Sequence, residues 1–387
     1  MNSPFDGGQS LALLSGVRVL EAAEYVTGPM AGLVLADLGA DVVKVERPEK
    51  GDAMRTYGVA HRGVSAFWLN VNRGKRSICL DLKEPGGRAC FLDLIEAADV
   101  VIRNWRPGSA ERLDLADPVL AGRNPRCIRV ELSGFGSTGP RSDEPVFDSV
   151  VQANCGLVAA QSALGEPNAM ATLVADKVTA MVAAQVVLAA LFERSQTGAG
   201  RRIELSMLDA TAYWSFPDVF QAETFLDDPS RTAPSLSPVV ATTDGYVVVV
   251  PVSGAQAGRL AQALGHPEWK EELKAIKEPG ELGRRLNKLV ASVTCSMSSE
   301  EVISCLRSAD VPVSKVLAQA DHLVDPQVIH NRTYCVRRHE STGPVRVVRF
   351  PAIVDGIIGS PAFSVPDVGE HDEAVLREWQ KTKPATN

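Results

Sequence analysis

GVRVLEAAEYVTGPMAGLVLADLGADVVKVE, residues 16–46, decides the fold. Val17 to Leu20 is a short apolar run that opens after Gly16 and reads as a buried strand. The loop that follows ends with Pro29 in the first turn of a helix, where its missing N–H costs nothing. That helix, Met30 to Leu38, stops at Gly39, and Asp41 to Glu46 is a second strand. Strand, helix and strand within about thirty residues make a βαβ unit, the building block of a doubly wound parallel sheet. Ligands of such sheets gather at the carboxyl ends of the strands.

The alternation continues downstream. Ser77 to Leu82 is strand-like, Glu84 to Ala98 is an amphipathic helix with Pro85 near its start, and Val100 to Asn104 is another strand. A short helix around Asp117 to Ala121 precedes a strand from Cys127 to Leu132. Between Arg47 and Arg76 the chain is basic and broken by Gly51, Gly58, Gly63 and Gly74, which predicts surface loop.

MATLVADKVTAMVAAQVVLAALFERSQTGAGRRIELSMLDATA, residues 170–212, joins a helix to a strand. From Val178 to Phe192 only Thr179 and Gln185 are polar, so the helix is expected to be buried nearly all round. This run of fifteen residues is too short to cross a bilayer. Arg202 to Leu208 then alternates as a strand. Asp176 sits in the first helical turn, against the positive end of the helix dipole and near free N–H groups that favour its ionised form. Ionised, it is a potential nucleophile; taken alone, an aspartate at a helix start reads first as a cap, and only its neighbours can change that.

After this unit the composition shifts. DDPSRTAPSLSP, residues 227–238, is a linker by its Pro and Ser content. Val239 to Val252 forms a hairpin around Asp244-Gly245, helical patterns cover Ala255 to Leu264, Pro279 to Val293 and Ser299 to Ala309, and Val311 to Leu317 is a last strand. Asp325 to Arg349 is again polar and irregular, a second crossing, and a helix from Asp372 to Trp379 closes the chain. The expected plan is an α/β protein with a Rossmann-like doubly wound large domain over residues 1–226, completed by 340–387. A smaller α/β domain spans 239–325, and 227–238 and 326–339 are the linkers.

Composition agrees with a globular protein of about two domains: 387 residues, 45% hydrophobic and 22% charged. The N-terminal MNSPFDGGQSLALLSG has neither a basic region nor a long apolar core, so no signal or transit peptide is expected and the cytoplasm is the expected location, with no membrane partner. The seven cysteines form no C-x-x-C pair and the six histidines no ligand spacing, so no metal is expected. A net charge of −7 disfavours nucleic acid as partner. Lys44 to Arg112 nevertheless carries thirteen Lys or Arg against nine Asp or Glu, a local +4 suited to a small polyphosphate.

GFGSTG, residues 134–139, matches the glycine fingerprint of nicotinamide enzymes, yet PRSDEP follows it where a phosphate-binding helix must open. The first βα loop, where the fingerprint belongs, lacks it.

The motifs GVRVLEAAEYVTGPMAGLVLADLGADVVKVERPEKGDAMR, NRGKRSICLDLKEPGG, ADVVIRNWRPG, LSGFGSTGP, FDSVVQANCGL, the Asp176 helix with RSQTGAGRRIELSMLDA, and VPDVGEH occur in this order along almost the whole chain. Together they closely resemble the family III coenzyme A transferases of CaiB/BaiF type, a group that includes formyl-CoA and carnitine CoA transferases and α-methylacyl-CoA racemase. The resemblance implies that the family's nucleophilic aspartate falls on Asp176. It implies CoA contacts at Val26 and Thr27, at Arg47, from Leu80 to Lys83, at Asn104, Trp105 and Arg106, and at Arg112. It further implies an acyl-CoA donor and a carboxylic acid acceptor, CoA as substrate with no permanently bound cofactor, and an interlocked homodimer.

Two departures stand out. The glycine run that covers the aspartate in formyl-CoA transferases is replaced by Pro234-Ser235-Leu236-Ser237-Pro238, and the racemase G-H-D motif by Val146-Phe147-Asp148, whose Phe147 has no proton to exchange. Racemase, non-enzymatic acyl-CoA binder and nicotinamide enzyme are the alternatives to CoA transfer.

Overall fold

The computed structural model describes residues 11–162, 166–227, 239–361 and 363–380. Its contacts divide the chain into a large unit, residues 1–214 with 329–387, and a small unit, residues 215–328.

In the large unit six parallel strands run from β1 (Arg18–Ala22) and β2 (Asp41–Glu46) through β3 (Arg76–Cys79), β4 (Val100–Arg103) and β5 (Ile128–Ser133) to β6 (Arg202–Ser206). Their spatial order is β3-β2-β1-β4-β5-β6, so the winding direction reverses between β1 and β4 and opens a crevice there. Both faces are covered, which fits the short apolar runs Val19-Leu20, Val42-Val43 and Val100 to Ile102 inside the strands. Val19, Val42, Val100 and Ile102 pack under the helix Thr27–Asp37 and the long helix Val174–Thr197. Their neighbours Leu20, Val43 and Val101 point the other way, onto Phe91, Leu94 and Ile95 of the helix Pro85–Ala97 and onto Val375 and Trp379 of the terminal helix Asp372–Gln380. Trp379, 1% exposed, donates its indole N–H to Asp41 Oδ2 at 3.0 Å, and the Asp372 carboxylate accepts the Cys79 N–H at 2.7 Å. These bonds fasten the tail to the β3 edge of the sheet.

The structure departs from the sequence reading at several places. Residues 47–76 are not surface loop: they contain the hairpin Ala60–His61 with Val64–Ser65 and a helix, Ala66–Asn72, whose Trp68, Leu69 and Val71 are buried. Ser65 Oγ caps that helix by accepting the N–H groups of Phe67 and Trp68 at 3.1 Å, a signal masked by the surrounding glycines. The long helix has 24 residues, enough to cross a bilayer by length and composition, so the argument from fifteen residues fails. Nor is it buried all round: Ala180, Ala183, Ala184 and Val187 enter the core, while Lys177, Met181, Gln185, Ala189 and Phe192 form an exposed stripe. Alanines on the inner side let the helix lie close to the sheet, and apolar composition alone did not distinguish that side from the outer one. The last strand ends at Ser206, and Met207 opens the helix Met207–Val219.

The small unit pairs Val239–Thr242, Gly245–Val249 and Val313–Lys315 in an antiparallel sheet with the turn at Asp244-Gly245. The helices Gly254–Ala263, Trp269–Lys274, Pro279–Thr294 and Ser299–Ser308 cover it, and Val247, Leu260, Val302 and Leu306 are fully buried between them. The units divide inside the helix Met207–Val219 and again at Ile329, earlier than 226 and 340, because Pro and Ser content marks exposed chain rather than the limit of packing. The stretch read as an irregular crossing holds the helix Pro326–His330 and the hairpin Tyr334–His339 with Gly343–Val348. Pro234 to Pro238 lie outside the described residues.

Candidate active site

A cavity of about 790 Å³ opens at the carboxyl ends of β1, β2, β4 and β5, where the winding reverses. Tyr25 from the loop after β1, Thr27 at the start of the helix that follows, Leu132, Ser133 and Gly134 at the end of β5, Met207 and Asp176 line one part of it. Asp176 is the third residue of its helix. The Thr27 hydroxyl donates to Asp176 Oδ1, and the Asp176 backbone N–H donates to Asp148 Oδ2 at 3.1 Å. Asp148 is itself buried and accepts from the amide of Gln152, which also donates to Thr172 O at 3.1 Å and accepts the Met170 N–H at 2.8 Å. The chain entering the Asp176 helix is thus pinned from the helix Asp148–Asn154. Neither Asp148 nor Gln152 was singled out as a site residue, although their spacing of four on a helix is the signal that they share a face.

Burial raises the Asp176 carboxyl to about 6; the Thr27 hydrogen bond works against this, the neighbouring Asp148 charge adds to it and Lys177 opposes it. Burial thus outweighs the pull of the helix start towards the ionised form. The Asp176 N–H is spent on Asp148, so it does not offset the burial. Near pH 7 the group is still mainly ionised, and it is more basic than an exposed aspartate.

The other part of the cavity is lined by Arg47 after β2, Leu80 and Lys83 after β3, and Asn104, Trp105 and Arg106 after β4. Asn104 holds the first loop by accepting the Glu24 N–H at 3.0 Å and donating to Glu24 O at 2.7 Å. Arg47 is paired with Glu24 at 2.9 Å and stays largely exposed. The Trp105 ring packs 6.1 Å from Phe91. Thr27, Arg47, Leu80, Lys83, Asn104, Trp105, Arg106 and Asp176 thus meet in one cavity. Val26 and Arg112 are not among its lining residues: Val26 is buried at the start of its helix, and Arg112 donates to Ser109 Oγ at 2.8 Å.

Phe147 lines the cavity, 63% exposed and edge-on to Tyr25 with ring centroids 5.5 Å apart. After the GFGSTG loop no helix opens before Asp148. Its Gly134 is required by packing, since a Cβ there would lie 1.8 Å from Val146 Cγ1.

The model of CoA-transferase family III matches residues 14–372. The chain belongs to that family. It is 30% identical over 385 residues to succinate–glutarate CoA-transferase of Agrobacterium fabrum, covering 95% of this chain and 96% of the relative. It is 29% identical over 378 residues to succinyl-CoA–D-citramalate CoA-transferase of Chloroflexus aurantiacus, covering 94% and 93%. A CaiB/BaiF family protein from Brucella suis superimposes with a TM-score of 0.80 at 27% identity, covering 95% of this chain and 99% of that one. The resemblance drawn from the motifs is thereby established, and with it the reading as a CoA-transferring enzyme.

Proposed function

We propose that this family III enzyme moves CoA from an acyl-CoA to a free carboxylate through a covalent intermediate on Asp176. The observation that carries this reading is the seat of Asp176: a half-desolvated carboxylate of raised basicity, facing a cavity whose far part carries Arg47, Lys83 and Arg106. Those cations suit the phosphates of CoA, and Trp105 offers an aromatic face to its adenine.

An Asp176 oxygen attacks the thioester carbonyl, the C–S bond breaks and CoA leaves as thiolate, giving a mixed anhydride. The thiolate then attacks the aspartyl carbonyl, expels the donor acid as carboxylate and leaves an aspartyl-CoA thioester. The acceptor carboxylate attacks that thioester and releases the thiolate, which finally attacks the acceptor acyl carbon and restores the Asp176 carboxylate. Each step exchanges one acyl bond for another and consumes no oxidant, reductant or metal.

The test is mass spectrometry of protein mixed with a panel of acyl-CoAs and quenched with hydroxylamine or borohydride. A modification confined to Asp176 and absent from Asp176→Ala is expected. Deuterium entering the α-position from heavy water with no adduct would replace transfer by stereoinversion, for which Phe147 supplies no proton.

A further inference from the structure

Beneath the first strand-to-helix loop lies a quartet of charges that the transfer steps do not use. Glu21 of β1, Lys44 of β2, Asp52 and Lys75 are each no more than 2% exposed. Lys44 Nζ lies 2.9 Å from Glu21 Oε1 and 2.9 Å from Asp52 Oδ2, and Lys75 Nζ lies 2.7 Å from Glu21 Oε2. Burial works against both ammonium charges; at Lys44 the two carboxylates outweigh it and hold the pKa above the usual lysine value, while Lys75 is pulled down to about 8.

Each ammonium keeps a donor for the backbone, one at the start of the loop after β1 and one in the first turn of the helix Thr27–Asp37. Lys44 donates to Ala23 O at 2.6 Å and Lys75 to Pro29 O at 2.6 Å. Between those two carbonyls lie Tyr25, held at φ +65° where a non-glycine residue is strained, and Thr27, whose hydroxyl is on Asp176. Asp52 adds a long bond from the Tyr25 N–H at 3.4 Å. Gly32 makes room for the arrangement, since a Cβ there would lie 2.0 Å from Glu21 Oε2. Well-packed apolar residues would stabilise such a site as well or better, so the distinctive contribution of the quartet is two fixed donors, one at the start of the strained loop and one in the first turn of the helix that follows it.

We propose that Glu21, Lys44, Asp52 and Lys75 are positioning residues that clamp the Ala23–Val26 loop and the first helical turn up to Pro29, so that the Thr27 hydroxyl stays on the Asp176 carboxylate and tunes it for acyl transfer. The use made of the tuned carboxylate rests on the reading of Asp176 as nucleophile; the clamp itself does not.

The test follows the titration midpoint of Asp176 by infrared difference spectroscopy against Asp176→Asn, a readout independent of turnover. Asp148 and Lys177 are the other charges acting on this group and stay in place throughout. Thr27→Val is expected to raise the midpoint, because the hydroxyl bond lowers it. Two charge-balanced double variants, Glu21→Gln with Lys75→Met and Lys44→Met with Asp52→Asn, avoid stranding a buried charge. Each is expected to raise the midpoint, to lower kcat about 10-fold by misplacing the loop, and to add nothing further when combined with Thr27→Val. A folded double variant with the wild-type midpoint, or a shift that adds fully to that of Thr27→Val, would overturn the clamp. Full turnover by Asp176→Asn would instead remove the nucleophile reading and leave the midpoint comparison to decide the clamp.

Discussion

Replacing Asp176 with asparagine is expected to make the protein more stable at neutral pH while abolishing transfer. The carboxyl titrates near 6 in the folded chain against an ordinary 3.8, chiefly because burial penalises its charge. At about 1.4 kcal/mol per pH unit, holding the ionised group in place costs roughly 3 kcal/mol. The sign follows from proton binding: between these two values the folded state binds more protons than the unfolded state, so stability falls as pH rises through the window from about 4 to 6. Below it the cost is absent, and above it the cost is fully present. Asparagine keeps an acceptor for the Thr27 hydroxyl and does not ionise, so Asp176→Asn should gain up to about 3 kcal/mol at pH 7.5, or roughly 5 °C in melting temperature, and almost nothing at pH 4. Melting the two proteins across that range is the assay. A variant no more stable than wild type at pH 7.5, or equally stabilised at both ends, would refute the claim that desolvation governs this site.

Gly32→Ala should destabilise the large unit by about 2 kcal/mol in denaturant unfolding, because overpacking against Glu21 outweighs the roughly 1 kcal/mol of helix propensity it gains. Gly258→Ala, also in a helix but with nothing within 4 Å of its would-be Cβ, should be stabilising; matching signs for the two would show that Glu21 is free to move aside. For CoA binding, Arg47→Ala, Lys83→Ala and Arg106→Ala should each weaken affinity about 10-fold by calorimetry, with the loss shrinking at high salt. Arg112→Ala should change it less than about twofold, since the side chain lies off the cavity; a loss as large as the other three would return Arg112 to the site.

What was legible in the sequence had a local cause. The second strand falls on Asp41–Glu46 as read, and the helices Pro85–Ala97, Pro279–Thr294 and Asp372–Gln380 within a residue or so, because a Pro at the first turn or a clean apolar period fixes such elements without reference to the rest of the chain. What was missed depended on partners distant in sequence. The helix Ala66–Asn72 packs against the helix Thr27–Asp37, some thirty residues earlier in the chain, and its Trp68 lies under the Arg55 guanidinium, 3.8 Å from the ring. The exposed stripe of the long helix has the composition of its buried side, so only the sheet tells the two apart.

The charge state of Asp176 shows the same limit at the level of chemistry. Its place in the first turn was readable, and from that place alone the helix dipole and free N–H groups pull the pKa down. Three groups far away in sequence alter that balance: Asp148 takes the N–H and adds a like charge, Thr27 supplies the one hydrogen bond that lowers the pKa, and the Val146, Val151 and Met207 cluster packs against the neighbouring Ala175. Desolvation of a carboxyl is worth several pH units when complete, whereas a helix terminus is worth a fraction of that, so the tertiary term sets the sign. The residue type at a site is thus written in the chain, while its reactivity is written in the packing of segments brought together around the crevice between β1 and β4.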